Sequence, residues 1–376
     1  MSLQCTVSKQ DFLERLSSLQ NITNKSGTMA ILLNVLIETS NGGITITGTD
    51  LEIGLRLFIE ADVQEEVSLT LPSKKLFEIV RESASDVISI EEKDNNWVVI
   101  KAGQSTYNLA GMASDEYPEF PEYDEDNFTT FESYIFLELI EKVIFSVANE
   151  QENIYTLTSV LFEKEQEKDK NYLKMISSDG HRLSIMRKEV PVDLSNFSMN
   201  PVTLVPKKGV QEWKKFCDNH DSVDISIEKE QLILRDGLAA MVIRLKKGEF
   251  PEYKSIVDAV QLDNKLEIPR IPFLESLKRI NLFTEDVFHT IQLKIESNLM
   301  VLSSQNANLG NAKDEQQIVY DGEPLTLGFN CRYFIETLQV MECEKVKAYI
   351  NSSNSPCLLN SDEDIGFTSI IMPMKL

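Results

Sequence analysis

The chain contains three stretches in which apolar residues recur at the three- and four-residue spacing of an amphipathic helix. Each stretch opens on Phe-Leu-Glu, at Phe12, Phe136 and Phe273. Residues three and four apart lie on one face of a helix, so the spacing predicts a buried stripe on each. The predicted helices cover residues 8–19, 136–145 and 273–283, and Ser8 with Asp11 has the spacing of a capping box.

A second helical pattern follows each of these stretches along the chain. We expect helices over 72–81, 206–216 and 332–340, with Ser73 as the N-cap of the first. Elsewhere apolar and polar residues alternate with the period of a half-buried strand. The predicted strands are 44–47, 53–59, 87–90, 97–100, 157–162, 173–176, 225–227, 232–234, 290–295, 300–303, 346–350 and 369–372.

This order of elements occurs three times, and a short sequence marks two ends of the repeat. Residues 118–123 read Pro-Glu-Phe-Pro-Glu-Tyr, and residues 249–253 read Glu-Phe-Pro-Glu-Tyr. A period of about 125 residues is the size of a whole domain. We therefore predict an α+β protein of three copies of one domain, each with two helices packed on antiparallel sheets. The predicted boundaries are 1–126, 127–256 and 257–376.

Composition places the chain among ordinary globular proteins. Its 376 residues can form two or three cores, and no apolar run reaches the length of a membrane span. The first residues show no basic segment followed by an apolar one, so we expect no secretion signal. The five cysteines are scattered without paired spacing, which favours a reducing, cytosolic setting over a disulfide framework or a zinc site.

The net charge of −23 argues against a conventional nucleic-acid binder, because affinity for phosphate comes from Lys and Arg. The charge is not evenly distributed, however. The six predicted helices with their flanking residues together hold thirteen basic and nine acidic residues, a net charge of +4, so the acidity lies on strands and loops. The segments counted are 8–19, 72–84, 134–147, 206–217, 271–283 and 331–340. A charged helix face is commonly only a solvated surface, and that interpretation stays open.

Catalytic motifs are missing from the sequence. It has no phosphate-binding Gly-rich loop, no His-Glu-x-x-His, no Gly-x-Ser-x-Gly and no Cys-x-x-Cys, and its three histidines lack metal-ligand spacing. Asp179-Gly180-His181 could be an acid–base pair, but a tight turn between strands explains it better. The acidic residues 122–126 could hold a hard cation, yet a solvated linker is the simpler interpretation. We predict no catalytic site, no cofactor and no metal.

The C-terminal end is unusual because Ile370-Ile371-Met372-Pro373-Met374-Lys375-Leu376 is apolar to the end. Most chain ends fray into solvent. A final core strand would explain Ile370 and Met372 but not Met374 and Leu376. Methionines adapt to different surfaces, so we expect the lip of a groove that accepts several partners.

These blocks together resemble the bacterial sliding clamps, the beta subunits of the replicative DNA polymerase, along the whole chain. The resemblance rests on residues 31–38 (Ile-Leu-Leu-Asn-Val-Leu-Ile-Glu), 49–54, 71–76, 178–183 (Ser-Asp-Gly-His-Arg-Leu), 248–253, 328–330 and 372–376. Two positions depart from the family pattern. Lys375 replaces an arginine, which loses a bidentate donor, and Ser255 stands where relatives often carry a basic residue.

The resemblance implies a head-to-tail homodimer closed into a ring of six clamp domains, with helices lining the hole. Such a ring encircles double-stranded DNA without sequence specificity and tethers the polymerase, which gives processivity without catalysis. Its expected partners are the polymerase catalytic subunit, the clamp loader and repair polymerases, all binding through short linear peptides, with no membrane involved. The expected location is the cytoplasm, at the nucleoid. A mildly positive lining inside an acidic exterior agrees with this role.

By resemblance, three sets of residues have roles. The partner-peptide pocket is Leu157, Ser178, Gly180, His181, Arg182, Leu183, Pro251, Ile256, Asn330, Tyr333, Ile370, Met372, Pro373 and Met374, with His181 and Arg182 expected to orient the polar groups of the peptide. The DNA-facing residues are Lys25, Lys74, Lys75, Arg81, Gln151, Lys207 and Lys208. The dimer interface contains Tyr107, Leu109, Leu282 and Phe283. Two alternatives stay open. The pocket residues could merely fill a seam between domains, and the four dimer-interface residues could belong to ordinary domain cores.

Two other functional classes are alternatives to a clamp. An α+β enzyme needs a convergent set of titratable groups, which the sequence does not show. A non-catalytic scaffold of triplicated domains fits the composition equally well. A closed dimer with a through-hole distinguishes a clamp from such a scaffold.

Overall fold

The computed structural model describes residues 5–23, 29–40, 42–64, 66–149, 155–284 and 288–375. The chain divides into two compact units. Unit 1 comprises Met1–Phe131 and Ser222–Leu245, and unit 2 comprises Glu132–Asp221 and Lys246–Leu376. Among the described helices, none is long and apolar enough to cross a membrane.

All six predicted helices are present, with somewhat shifted ends. The first helices of the three repeats are α1 (Lys9–Thr23), α3 (Ser133–Glu141) and α6 (Arg270–Asn281), and the second helices are α2 (Ser73–Glu82), α4 (Lys207–Asp218) and α7 (Cys331–Val340). A short helix, α5 (Tyr253–Asp258), follows the second copy of the Phe-Pro-Glu-Tyr sequence. The helix predicted over 136–145 ends earlier, because a 3-10 turn occupies Ile144–Ser146.

The prediction that Ser73 caps α2 is wrong. Ser73 is the first helical residue, and the N-cap, Pro72, makes no side-chain hydrogen bond. The buried Ser73 Oγ instead accepts hydrogen bonds from Gln20 Nε2 at 3.0 Å and from Thr23 Oγ1 at 2.8 Å. The serine therefore ties α2 to α1. The predicted cap of α1 is present, since Asp11 N donates to Ser8 Oγ at 3.5 Å.

The described strands follow the same order in each repeat: one strand, a helix, four strands, a helix and three strands. In the first repeat they are β1 (Cys5–Ser8), β2 (Asn34–Ser40), β3 (Gly43–Thr49), β4 (Ile53–Val63), β5 (Ser68–Pro72), β6 (Val87–Glu92), β7 (Trp97–Ala102) and β8 (Ser105–Ala110). In the second they are β9 (Thr129–Glu132), β10 (Ser159–Glu167), β11 (Lys170–Ser178), β12 (Arg182–Val190), β13 (Thr203–Pro206), β14 (Ser222–Glu228), β15 (Gln231–Asp236) and β16 (Ala239–Arg244).

The third repeat completes the pattern, with all neighbouring strands antiparallel. Its strands are β17 (Lys265–Pro269), β18 (Thr290–Glu296), β19 (Leu299–Asn306), β20 (Gly310–Gln317), β21 (Leu325–Asn330), β22 (Lys345–Tyr349), β23 (Cys357–Asn360) and β24 (Phe367–Ile371). The prediction of a repeated α+β unit is therefore confirmed, while the exact domain boundaries stay a prediction. Half of the described strands were absent from the set predicted by alternation, and the strand predicted over 157–162 begins only at Ser159. The twelve absent strands are β1, β2, β5, β8, β9, β12, β13, β16, β17, β20, β21 and β23.

Unit 1 contains one large sheet that joins strands from two repeats. Its order is β8-β7-β6-β1-β4-β16-β15-β14-β9, and β3, β2 and β5 extend from β4. In unit 2, an eight-stranded sheet has the order β13-β10-β11-β12-β24-β23-β22-β17, and a four-stranded sheet has the order β20-β19-β18-β21. In the second repeat, β9 and β14–β16 join the sheet of the first repeat, whereas β10–β13 join a sheet of the third repeat. The second repeat is therefore divided between the two units.

Aromatic clusters anchor helices to sheets in unit 2. Trp213 of α4 is fully buried, with its ring 4.9 Å from Phe136 of α3 and 5.4 Å from Phe162 of β10. In the third repeat, Phe334 of α7 lies 5.2 Å from Phe329 and packs edge-on. Each buried aromatic side chain contributes about 2–3 kcal/mol of burial free energy, so these clusters fix the helices on one sheet face.

The acidic residues 122–126 follow the sheet of the first repeat as an exposed connection, as predicted, but they are anchored. Asp124 N donates to Glu228 Oε1 at 2.8 Å, and Glu125 forms an ion pair with Arg235. The Arg235 guanidinium also lies 3.7 Å from the Phe128 ring centre. The connection is therefore held on β14 and β15.

Candidate functional site

One hairpin turn recurs in all three repeats, and it fixes the correspondence between them. The turn after β3 contains Asp50, the turn after β11 contains Asp179, and β19 ends at Asn306. In each, one side-chain oxygen accepts hydrogen bonds from the backbone N–H groups two and three residues later, at 2.8–3.1 Å. These Asx turns make Ile53, Arg182 and Leu309 equivalent positions. The prediction that Asp179-Gly180-His181 forms a tight turn is confirmed.

Two seams between repeats are formed by antiparallel strand pairs of the same kind. In unit 1, β4 of the first repeat pairs with β16 of the second, with Ile53 opposite Ile243. In unit 2, β12 of the second repeat pairs with β24 of the third, with Arg182 opposite Ile371. In both seams the residue after the Asx turn faces the fifth residue of the strand that ends a repeat.

The seam in unit 2 brings together the residues predicted to form a peptide pocket. Leu183 pairs with Ile370, and both belong to a buried cluster against which Phe250 and Val257 pack. Pro251 and Ile256 are the chain neighbours of those two residues. Leu157, Leu183 and Ile370 are at most 3% exposed, so they form the floor of the site. We call the fourteen predicted residues the seam patch.

Arg182 has a structural role that differs from the predicted one. Its Nε donates to Asp179 Oδ2 at 2.9 Å and its Nη2 to Phe145 O at 2.6 Å, while Nη1 pairs with Glu336. The guanidinium also lies 4.5 Å from the Tyr333 ring centre, and the residue is 8% exposed. Arg182 therefore holds the second and third repeats together beneath the surface. The structure does not favour the expected role of orienting the polar groups of a peptide.

Ser178 and Asn330 also support the site from within. Ser178 Oγ donates to Arg182 O at 2.7 Å and accepts from Gly180 N at 3.0 Å. Asn330 is the N-cap of α7, because its side chain accepts from Arg332 N at 2.9 Å. These contacts fix the turn and the helix that border the patch.

The exposed part of the seam patch consists of Gly180, His181, Pro251, Ile256 and Met372, with Pro373 and Met374 half-buried. Gly180 has φ +88°, and a Cβ built there would find Leu157 Cδ1 at 3.9 Å as its nearest neighbour. The C-terminal segment is fixed by two backbone bonds. Met372 N donates to His181 O at 2.9 Å, and Met374 N donates to Gly328 O at 2.8 Å. These two bonds hold Met372–Met374 against the domain, so this part of the chain does not fray into solvent. Leu376 lies outside the described residues.

The equivalent surface of unit 1 has a different character. Leu51 and Glu52 stand where unit 2 has Gly180 and His181, and Arg244 stands in place of Met372. Arg244 N donates to Glu52 O at 2.8 Å, so the backbone geometry is retained. Leu51 has φ +71°, which means that the turn itself does not require glycine. The side chains of the unit 2 seam thus favour an apolar groove, whereas the unit 1 seam has the charged residues Glu52 and Arg244 at the equivalent positions.

The predicted DNA-facing residues of unit 1 lie on α2, where Lys74 and Lys75 occupy the first turn and are exposed. Lys75 forms an ion pair with Glu78. Arg81 lies at the opposite end of the same helix. It lies in the last turn, 2.9 Å from Glu82 Oε1 and with its guanidinium 5.4 Å from the Phe77 ring centre. Lys25 lies outside the described residues.

In unit 2, Lys207 and Lys208 occupy the first turn of α4. Lys207 Nζ donates to Val147 O at 3.0 Å, so this residue has a structural contact as well as a charge. Lys214 and Lys215 lie on the same helix, and Lys215 pairs with Glu212 at 2.7 Å. Gln151 lies outside the described residues.

The predicted dimer residues fall on two separate features. Tyr107 and Leu109 are the half-buried residues of β8, an edge strand of the unit 1 sheet. Leu282 and Phe283 directly follow α6, and Leu282 is 71% exposed. Sequence reasoning missed β20, an edge strand of the four-stranded sheet. The repeated Asx residue before it, Asn306, was the signal that could have found it.

The titratable groups of the described residues do not converge on a reaction centre. No group of three or more His, Cys, Asp and Glu residues there could hold a metal ion. All five cysteines are buried thiols, and burial raises the pKa of Cys217 and Cys331 to about 12. Thiols with such pKa values stay protonated at neutral pH and are poor nucleophiles.

Comparison with protein families gives one consistent result. Models of the N-terminal, central and C-terminal domains of the DNA polymerase III beta subunit match residues 3–121, 130–252 and 260–375. Each match lies inside one of the three segments predicted from the sequence.

Individual relatives are similar over their full length. The beta sliding clamp of Chlamydia muridarum is 25% identical over 374 residues, covering 100% of this chain and 99% of that protein. The beta sliding clamp of Haemophilus influenzae is 25% identical, with 100% of both chains covered. The crystal structure of the C. crescentus beta sliding clamp shares the fold, with a TM-score of 0.93, 23% identity and full coverage of both chains.

Proposed function

Because this chain belongs to the family of the DNA polymerase III beta subunit and functions as a DNA sliding clamp, we propose that two copies close into a ring around duplex DNA. The ring slides without reading sequence and holds the replicative polymerase on its template. It has no catalytic site of its own and works in the cytoplasm, at the nucleoid.

The observation that carries the ring is a pair of open sheet edges. Among the described residues, β8 pairs with β7 alone and β20 with β19 alone. An edge strand presents unpaired N–H and C=O groups that favour pairing with another chain. The strand that ends the first repeat is β8, the equivalent of β16 and β24. The equivalent of β4 and β12 is β20. A third seam between β20 and β8 of a second copy is therefore the natural continuation.

The two internal seams also define the register of the third. The residue after the Asx turn, Leu309, would lie opposite the fifth residue of β8, Leu109 of the partner subunit. Gly310 would then face Asn108 of the partner subunit, and Asn311 would face the partner's Tyr107. Leu309 is 62% exposed and Leu282 71%, which is unfavourable for an isolated chain and removed by the pairing. Each subunit supplies both strands, so the contact is head-to-tail, and the proposed ring closes when two copies form it twice.

The seam patch is proposed as the site that takes short linear peptides of the polymerase, the clamp loader and repair polymerases. Its buried apolar floor suits Leu and Phe side chains, while the exposed Met372 and Ile256 can adapt to different sequences. The exposed backbone at Gly180 allows an extended peptide to approach closely. Partners of this kind would compete for two sites on each ring.

The decisive experiment measures how the protein leaves DNA. Protein loaded by its clamp loader onto a nicked circular plasmid should stay bound for many minutes at moderate salt. Linearising the plasmid should release it, because a closed ring slides off free ends. A non-catalytic scaffold that binds DNA only by surface contact would leave circular and linear DNA at the same rate, and that outcome would overturn the proposal.

The proposed lining of the ring predicts how charge affects weak direct DNA binding. Removing one Lys–phosphate contact should reduce the slope of log K against log salt by about 0.9. Lys74→Gln should therefore flatten the slope by about one unit, and Lys75→Gln should do so less, because Glu78 already neutralises Lys75. Fluorescence anisotropy with a short duplex over a salt series measures this slope.

The matched control for this series is Lys170→Gln. Lys170 is also exposed but lies on β11 and pairs with Glu189 at 2.7 Å, outside the helices. Its slope should equal that of the unchanged protein. Equal slopes for Lys170→Gln and Lys74→Gln would show that α2 does not face DNA.

A further inference from the structure

A buried ion pair joins the second and third repeats at the seam of unit 2. Lys142, which directly follows α3, is 5% exposed, and Asp364, in the loop before β24, is 6% exposed. Lys142 Nζ lies 2.6 Å from Asp364 Oδ1 and also donates to Val340 O at the end of α7. The ammonium is 5.6 Å from the ring centre of Phe367, the first residue of β24.

The carboxylate of Asp364 is fully engaged on its own side of the seam. It accepts hydrogen bonds from Glu342 N at 3.0 Å, Cys343 N at 3.2 Å and Ser361 Oγ at 2.9 Å. Burial alone would raise the pKa of Asp364, but the hydrogen bonds from Lys142, Glu342 and Ser361 outweigh it and hold the pKa below its ordinary value. The charged form is therefore the stable one at neutral pH.

This pair is specific to one seam. The loop between β23 and β24 spans residues 361–366, whereas the equivalent hairpins consist of Gly103-Gln104 and Gly237-Leu238. With Phe136 and Phe12 as equivalent positions, Ser18 stands in α1 where the second repeat has Lys142. The positions of unit 1 that are equivalent to Lys142 and Asp364 thus supply neither the lysine nor the acid. The longer loop brings an acid to the unit 2 seam, where the seam patch lies.

The position of the pair connects it to the patch. Asp364 lies three residues before β24, and Met372 directly follows the strand. Gly366 O accepts from Arg187 N at 3.0 Å, and Met372 N donates to His181 O at 2.9 Å. The strand β24 is therefore held against β12 at both of its ends. Five residues in extended conformation separate these two ends by about 16 Å. Loosening its first end frees the strand that carries the floor residue Ile370 and the exposed Met372.

We propose that Lys142 and Asp364 are positioning residues that hold the third repeat against the second and keep β24 in place under the peptide groove. The inference rests on the proposed function of that groove. Removing one partner of a buried pair leaves an uncompensated charge, and removing both leaves none. The two single changes should therefore be more harmful than the double change.

The test is a double-mutant cycle of Lys142→Met and Asp364→Asn in the full-length protein. Each single variant should weaken binding of a Gln-Leu-x-Leu-Phe peptide by about tenfold and speed amide exchange across residues 367–371 by a similar factor. The double variant should recover most of the lost peptide affinity and most of the protection against amide exchange. The reason is that the introduced amide oxygen still accepts from the backbone N–H of Glu342. Singles that bind as tightly as the unchanged protein, or a double variant as weak as either single, would overturn the inference.

Two controls separate this effect from others. Leu293→Ala opens a cavity in β18 of the third repeat, away from the seam, and it should lower the melting temperature without faster exchange in residues 367–371. If a single variant does not fold, Ser361→Ala removes one support of Asp364 and should weaken binding in the same direction by about threefold. If the unchanged protein does not bind the peptide, the proposed peptide site is wrong. The amide exchange rates of the variants would still test whether Lys142 and Asp364 hold β24 in place.

Discussion

A chain carrying both Leu109→Cys and Leu309→Cys should form covalently linked dimers when oxidised. The register proposed for β20 and β8 puts these two residues directly opposite each other in different subunits. Opposite residues of antiparallel strands have Cα atoms about 4.5–5.5 Å apart, which is within the range that a disulfide requires. Non-reducing denaturing electrophoresis should show a dimer band that reductant removes.

The native cysteines should not interfere with this cross-link. All five are buried, and burial raises the pKa of Cys5 and Cys343 to about 11, so little thiolate is present at neutral pH. The matched control pairs Leu309→Cys with Thr106→Cys, which displaces one cysteine by about 10 Å along β8. Cross-linking of the displaced pair in preference to the aligned pair would show that the register is wrong. Equal absence of both would reject the seam.

The sequence predicted the helices well because their apolar stripes are local signals. Phe12, Phe136 and Phe273 each begin a stripe that is buried in the structure. The helix ends were less predictable. Serine is a common N-cap residue, but the Ser73 hydroxyl instead accepts tertiary hydrogen bonds from Gln20 and Thr23.

Sequence patterns identified only half of the strands, and the edge strand β20 shows one physical reason. The strand β20 reads Gly-Asn-Ala-Lys-Asp-Glu-Gln-Gln, which lacks the apolar alternation of a half-buried strand. Charged and polar residues on an edge protect an isolated chain from uncontrolled pairing. The same residues hide the strand from a hydrophobicity pattern. Only the repeat of Asp50, Asp179 and Asn306 relates it to the other seams.

The composition of the seam patch came from resemblance, whereas the roles inside it came from the structure. Arg182 looks like a surface group in the sequence, yet its contacts with Glu336, 154 residues away, bury it. Lys142 and Asp364 are 222 residues apart, and neither stands in a recognisable motif. Pairs of this kind depend on the packing of two repeats, which no local pattern encodes.

Deleting Met372–Leu376 should abolish binding of a Gln-Leu-x-Leu-Phe peptide while leaving the protein folded and dimeric. The deletion removes the exposed Met372 and the half-buried Met374, the adaptable lip of the seam patch. It also removes two backbone hydrogen bonds, those to His181 O and Gly328 O, at a cost of about 1 kcal/mol each. The remaining strand still ends on Ile371 opposite Arg182, so its pairing with β12 persists.

A point variant gives the same test without shortening the chain. Met372 is 39% exposed, so Met372→Ser should hardly change the melting temperature, but it should weaken peptide binding about tenfold by removing apolar contact with the ligand. Val202 is 40% exposed in the same unit and lies next to β13, at the far edge of the sheet, so Val202→Ser is the matched control and should bind normally. Isothermal titration measures both affinities. Undiminished binding by the truncated protein, or equal losses in Met372→Ser and Val202→Ser, would mean that the peptide binds elsewhere.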